Sequence, residues 1–430
     1  MNGEHYTLLK NVRLIDPEEK RTDGVDIYYC KKGGQSTVLQ VGKGLKPTEK
    51  EGLSVINTHG AIACPAFTDL RCALPYQDSA VEETLYTFLL SASVGGYARV
   101  LASPFRYLPD SPARCESLLK NADKAGDCRL LPAVALTKGC EGSVLAPFEA
   151  MREKGAFAIT ADCERQEPSG KLLLAALEES ERLKMPFIAP CREKSLQGNG
   201  VNKGAVAQKL REEGEDPASE LLALSKALML AHTRNIPVHF PLVTLKESVR
   251  LIGEAKRAGV PITCATAPPY FSFTESELIF TGENARLSPP LRREADRMAV
   301  IEGLQSGVID CICSDHTPLP SSGTKGKKQI TGASGFETVF AAGMTHLVIP
   351  GHLSLYRLLY LLSLAPADLL GIDCRIKPGN PMDLAFINTE SEMFYNRHSM
   401  RTRGLNTPFY GKALRGRVTG LYINGVRQQS

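Results

Sequence analysis

Eight short apolar segments, separated by amphipathic helical stretches, fill the middle of this chain and constrain its fold more than any other feature. They span 61–67, 98–102, 130–135, 156–160, 186–190, 236–242, 261–265 and 308–314. Apolar runs of that length, alternating with helices, are what a parallel sheet covered by helices requires. The helical punctuation agrees. One helix is predicted to start at Asp216-Pro217, an N-cap followed by proline at the first helical position. Another is predicted to start at Thr244, with Glu247 completing a capping box, and to stop at Gly259. Eight strand–helix units predict an α/β fold, a (β/α)8 TIM-like barrel over 61–374 with its site at the C-terminal strand ends.

The two chain ends have a different rhythm. Segments 6–14, 25–30 and 38–41 read as strands, and Asp23-Gly24 and Gly33-Gly34 are turn signals between them. Strand-like patterns return at 383–387 and 418–423. Residues 1–60 and 375–430 are therefore expected to build one composite β-sandwich-like domain, with the barrel inserted between them.

Composition narrows the partners. A formal charge of +4 over 430 residues gives no reason to expect nucleic acid. The basic run Lys325-Gly326-Lys327-Lys328 reads as a solvated loop. No stretch is long and apolar enough for a membrane span, and Met1-Asn2-Gly3-Glu4-His5 lacks a signal-peptide pattern. Twelve cysteines without a CxxC pair fit reduced thiols and a cytoplasmic location. Cys311 and Cys313 should share one strand face.

The segment ending the first barrel strand carries the most chemistry: Pro65-Ala66-Phe67-Thr68-Asp69-Leu70-Arg71-Cys72-Ala73. Later come Ser288-Pro289-Pro290-Leu291-Arg292 and Ser314-Asp315-His316-Thr317-Pro318. Gly335-Phe336-Glu337-Thr338, then Asn406-Thr407-Pro408-Phe409 and Leu414-Arg415-Gly416-Arg417, complete the series. In this order and spacing the chain resembles the type I dihydroorotases of the amidohydrolase superfamily over nearly its whole length. The resemblance implies a zinc-activated water that opens a cyclic amide, with the aspartate at position 315 shuttling the proton.

Residue by residue, the ligands of that chemistry are missing. Arg71 and Ala73 stand where the family has its first two histidines. Pro190 and Leu242 stand where it has two more. His239 should face the helical shell if Leu242 faces inward. Asp162 replaces one of an aspartate pair, which one being open. The cofactor expectation is therefore no zinc and no other metal. A guanidinium about 4 Å from a divalent ion would be repelled by roughly 8 kcal/mol at an effective dielectric near 20. The substrate-gripping positions have changed as well, to Pro75, Phe105 and Ser288. What remains is a vestigial site of Asp69, Arg71, Asp162, Arg292, Asp315 and His316, with no catalytic residue assigned beyond the vestigial Asp315. Arg71 is expected to pair with Asp162 or Asp315, because carboxylates left without a metal need a counter-charge.

Three functions compete on these residues. The resemblance implies an inactive homologue, a homodimer, kept as an assembly partner or regulator of aspartate carbamoyltransferase. An altered cyclic amidohydrolase would need another nucleophile. Cys72, Cys163 and Cys191 lie near strand ends, but Cys72 and Cys191 should face outward. An anion sensor could use Arg71, Arg106, Arg165, Arg192 and Arg292, which all follow barrel strands. The glycine- and lysine-rich loop 319–334 has no readable role.

Overall fold

The computed structural model describes residues 4–47, 52–75, 83–162, 165, 167–319 and 331–428. The basic run 325–328, Cys163 and most of the 319–334 loop lie outside the described residues. Among the described residues, no helix is long and apolar enough to cross a membrane.

The chain opens with β1 (His5–Asp16), β2 (Arg21–Lys32), β3 (Gln35–Gly42), β4 (Leu53–Asn57) and β5 (Ile62–Pro65). The barrel follows: β6 (Phe67–Ala73), β7 (Tyr97–Ser103), β8 (Arg129–Ala135), β9 (Ala158–Thr160), β10 (Phe187–Ile188), β11 (Val238–Phe240), β12 (Ile262–Thr266) and β13 (Cys311–Ile312). The chain closes with β14 (Leu384–Phe394), β15 (Ala413–Ile423) and β16 (Val426–Arg427). Both chain ends share one sheet, in the order β16-β15-β14-β5-β1-β2-β3, with β4 also on β1. Strands β6 to β13 form the second sheet in sequence order, each parallel to the next. This is the expected barrel with a terminal β-domain.

The segment expected as one strand over 61–67 is two. β5 pairs β1 and β14 in the terminal sheet, and the first barrel strand starts only at Phe67. The apolar run is continuous through both, so periodicity could not show where the chain changes sheets. The helix after Asp216-Pro217 forms as Ala218–Arg234, with Asp216 Oδ1 accepting the Ala218 amide at 3.0 Å. The capping box at Thr244 does not form. The helix there is Lys246–Arg257, and the Thr244 hydroxyl is bonded to Glu220 instead.

Burial sorts the barrel residues into two layers. Leu101, Ala133, Ala158, Ile188, Ala265 and Cys311 pack together inside the barrel. Their neighbours Val100, Val134, Ile159, Val238, Ile262 and Ile312 pack outward with the helices. Strand β7 is buried along its whole length, as a parallel strand with two covered faces must be.

β6 and β13 close the barrel without a ladder. A single parallel bridge joins Cys72 to His316, and the Ala73 amide donates to His316 O at 2.8 Å. Asp69 strengthens the seam from its side chain. One oxygen accepts the Ser314 amide at 2.7 Å, the other the Ser314 hydroxyl at 2.6 Å.

Candidate site at the barrel mouth

The C-terminal strand ends carry a buried ionic triad. Arg71, on β6, donates from Nε and Nη2 to Asp162 Oδ2, each at 3.0 Å. Its Nη1 meets Asp315 Oδ1. The side chains of Arg71, Asp162 and Asp315 are only 14, 9 and 4% exposed, so the pairing takes place largely out of water. The other Asp162 oxygen accepts the Cys191 amide at 3.0 Å, which ties in the end of β10. The expected ion pair of Arg71 with one of the two acids thus forms with both. Asp315 reaches it from a left-handed backbone, at φ 51°.

Asp69 is not part of the triad's contacts; it serves the barrel seam. Burial pushes its carboxyl up to about 7, against the Ser314 hydrogen bonds that favour the charged form. His316 belongs to the seam too. Its Nδ1 accepts the Gly335 amide at 3.1 Å, which places the proton on Nε2, and Nε2 has no partner among the described residues. The ring stacks on Phe336 at 4.0 Å.

Arg292 lies elsewhere, in a second buried network. Its Nη1 donates to Asn202 Oδ1 at 2.8 Å and its Nε to Thr244 Oγ1 at 3.1 Å. Its Nη2 lies 3.5 Å from both Glu215 and Glu220, which are 0 and 2% exposed. Arg192 joins from the other side, 3.2 Å from Glu215. Glu220 also accepts the Thr244 and Leu245 amides, at 2.9 and 3.1 Å. Glu215, Glu220 and Asn202 were not read from the sequence. They sit on a connection and a helix far along the chain from Arg292, and no local pattern marks them.

The five arginines therefore do not form one open anion site, although Arg71, Arg192 and Arg292 all lie near Tyr270 and two of them share Glu215. Arg71, Arg192 and Arg292 are neutralised by buried acids. Arg106 lies over the Phe105 ring, 5.1 Å from its centre, and Arg165 is exposed.

Ala73, Pro190 and Leu242 are all buried. Cys311 and Cys313 share the inner face as expected, and Cys72 packs outward. Cys191 does not face outward as expected: it packs with the inner cluster, because β10 ends at Ile188 and the alternation stops there. Burial raises the Cys72 and Cys191 thiols well above the usual range, which works against a thiolate nucleophile. Among the described residues, no group of three or more His, Cys, Asp or Glu side chains is placed to hold a metal ion.

His239 also differs from expectation. It is in register with Ile188 and Thr263 and so points into the barrel, bonded through Nδ1 to Thr263 Oγ1 at 2.9 Å. β11 ends at Phe240 and Pro241 breaks the alternation, so Leu242 can face inward as well.

Burial lowers both His239 and His316 to about 3. An unfolded imidazole takes up its proton near 6.5. Their stabilisation is therefore present above 6.5 and is lost as the pH falls toward 3. Each should cost about 2 kcal/mol between pH 7 and pH 5. Asp69 acts oppositely: its raised carboxyl favours the fold below 3.8 and loses that contribution as the pH rises through 7. Urea unfolding of His239→Gln at the two pH values should show the wild-type difference shifted by about one histidine's share. An unchanged difference would mean that this imidazole is not buried neutral.

The comparisons with known proteins agree with one another. The model of the amidohydrolase family matches residues 43–427. The chain is 30% identical over 418 residues to the dihydroorotase of Aquifex aeolicus, covering 96% of each chain. It is 32% identical over 382 residues to the dihydroorotase of Bacillus cytotoxicus, covering 88% of this chain and 89% of that one. Among solved structures, it is similar in fold to the L-hydantoinase (dihydropyrimidinase) of Arthrobacter aurescens. The TM-score is 0.82 at 20% identity, over 98% of this chain and 95% of the other.

Proposed function

We propose, from the premise that this chain belongs to the amidohydrolase family and is dihydroorotase-like, that it does not hydrolyse a cyclic amide and acts through protein assembly. The partner in this reading is aspartate carbamoyltransferase, within cytoplasmic pyrimidine biosynthesis, and the chain itself is a homodimer. The observation that carries the reading is the Arg71 guanidinium between Asp162 and Asp315.

The residues do not fit a zinc ion. Zinc takes imidazole, thiolate or carboxylate donors in a tetrahedral set. The resemblance puts a guanidinium at Arg71, a methyl group at Ala73, a proline ring at Pro190 and an isobutyl group at Leu242 where imidazoles would be needed. The two carboxylates left have a permanent positive charge between them. Without a metal-activated water, ring opening needs another nucleophile, and the buried thiols at Cys72 and Cys191 are held protonated. A scaffold can outlast such a loss, because the outer helices and the terminal sheet do not depend on the mouth.

A second reading, a cyclic amidohydrolase with an altered site, is favoured by the names of the 30–32% identical relatives. An anion sensor is less favoured, since three of its five arginines are already paired.

Protein purified with added zinc decides between the first two. We expect less than roughly 0.1 zinc per chain, no dihydroorotate turnover, and co-elution with aspartate carbamoyltransferase. About one zinc per chain with turnover would establish the second reading. Absence of both turnover and co-elution would sink the assembly role.

A further inference from the structure

We infer that Arg71 is a built-in counter-ion: its guanidinium fills a cation position that the strand ends of the barrel still form, and it holds those ends together. The inference rests on the metal-free reading above and adds what the arginine does.

The geometry is that of a cation site. Asp162 follows β9 and Asp315 follows β13, on different sides of the mouth, yet both direct a carboxylate oxygen at one guanidinium. Two carboxylates that are less than a tenth exposed and aimed at one point repel unless a positive charge lies between them. Arg71 provides that charge from β6. Through the second oxygen of Asp162, bonded to the Cys191 amide, it also reaches the end of β10. One side chain thus links four strand ends across the mouth.

The remaining donors nearby are already used. Both Asp69 oxygens are bonded to Ser314, and the Tyr270 hydroxyl donates to Pro289 O at 2.7 Å. Among the described residues, no other side-chain cation pairs with Asp162 or Asp315, so the position belongs to Arg71 alone. An arginine suits it because its planar fork donates in two directions at once, which a lysine ammonium does less well.

The test compares the full-length wild type with Arg71→Lys, Arg71→Ala and the triple substitution Arg71→Ala/Asp162→Asn/Asp315→Asn. Each is melted with and without millimolar Mn²⁺, a cation that accepts oxygen ligands and waters. Arg71→Ala should melt on the order of 5 °C below the wild type, because two carboxylates lose their partner. Arg71→Lys should lie between the two, and the triple substitution should recover most of the loss. Mn²⁺ should raise the melting temperature of Arg71→Ala and leave the wild type and the triple substitution unmoved. If Arg71→Ala does not fold, a folded triple substitution supports the inference and an unfolded one overturns it. Arg71→Ala melting with the wild type, or showing no response to Mn²⁺, also overturns it. A wild type that itself gains stability and about one metal per chain would instead sink the metal-free reading.

Discussion

Replacing Asp383 by alanine should cost about 3–5 kcal/mol, because it strands a buried guanidinium. Asp383 is 2% exposed at its side chain and faces Arg99, 4% exposed, at 2.5 Å. Arg129 reaches the same oxygen, and the other accepts the Asn424 amide at 2.9 Å. Arg99 is on β7 and Arg129 on β8, while Asn424 follows β15. This carboxylate therefore fastens two barrel strands to the terminal sheet. Once the acid is gone, Arg99 is left with uncharged partners, Thr68 Oγ1 at 3.0 Å and the Cys374 thiol. A loss of that size is a large share of the roughly 5–15 kcal/mol that holds a typical protein folded. Urea unfolding followed by circular dichroism would measure it. Arg99→Met/Asp383→Leu should recover part of the loss, since the buried Arg99 charge is gone and the half-buried Arg129 can turn to water, while the Asn424 amide still loses its acceptor. A single substitution costing less than about 1 kcal/mol would show that water reaches Arg99.

Gly335→Ala should be the most damaging single methyl group among the described glycines. A Cβ at this position would lie 2.0 Å from Ser314 O and 3.0 Å from the Ser314 carbonyl carbon. The obstacle is backbone, so no rotamer change relieves it. Ser314 is also the residue that Asp69 holds by its amide and hydroxyl, and the Gly335 amide binds His316 Nδ1. Pushing the two segments apart therefore loosens the backbone closure between β6 and β13. Overpacking typically costs about 1–3 kcal/mol, and a backbone obstacle puts the expectation at about 3 kcal/mol or more. Gly170→Ala is the control. It lies at the first position of a helix with nothing within 4 Å of its added methyl, and it should leave stability within about 0.5 kcal/mol of wild type. Equal melting of the two variants would mean that the seam yields without cost.

The barrel was legible because its signal is repeated eight times along the chain. A largely apolar run of five to seven residues bounded by helical pattern survives errors of a few residues at each end. Single elements were less secure. The 61–67 run was one segment to the eye and two strands in the fold. Thr244 and Glu247 had the spacing of a capping box, but a buried Glu220 competes for the threonine hydroxyl and wins. Counting alternate residues places His239 and Cys191 outward, but the strands there are very short and alternation no longer applies past their ends.

At the mouth, the sequence by itself determined which chemical groups are available: Arg71 and Ala73 in place of imidazoles, and Asp69, Asp162 and Asp315 as the remaining acids. It also determined that these acids would need a counter-charge. Only the tertiary structure decided which acids receive it. Asp162 and Asp315 are 91 and 244 positions from Arg71 in the chain, and Asp69, two positions away, is bonded to Ser314 instead. Arg292 likewise meets Glu220 from 72 positions away rather than Asp315. The physical reason is range. Charge pairing is decided within about 4 Å and strengthened by burial, and both depend on how the strands close into a barrel.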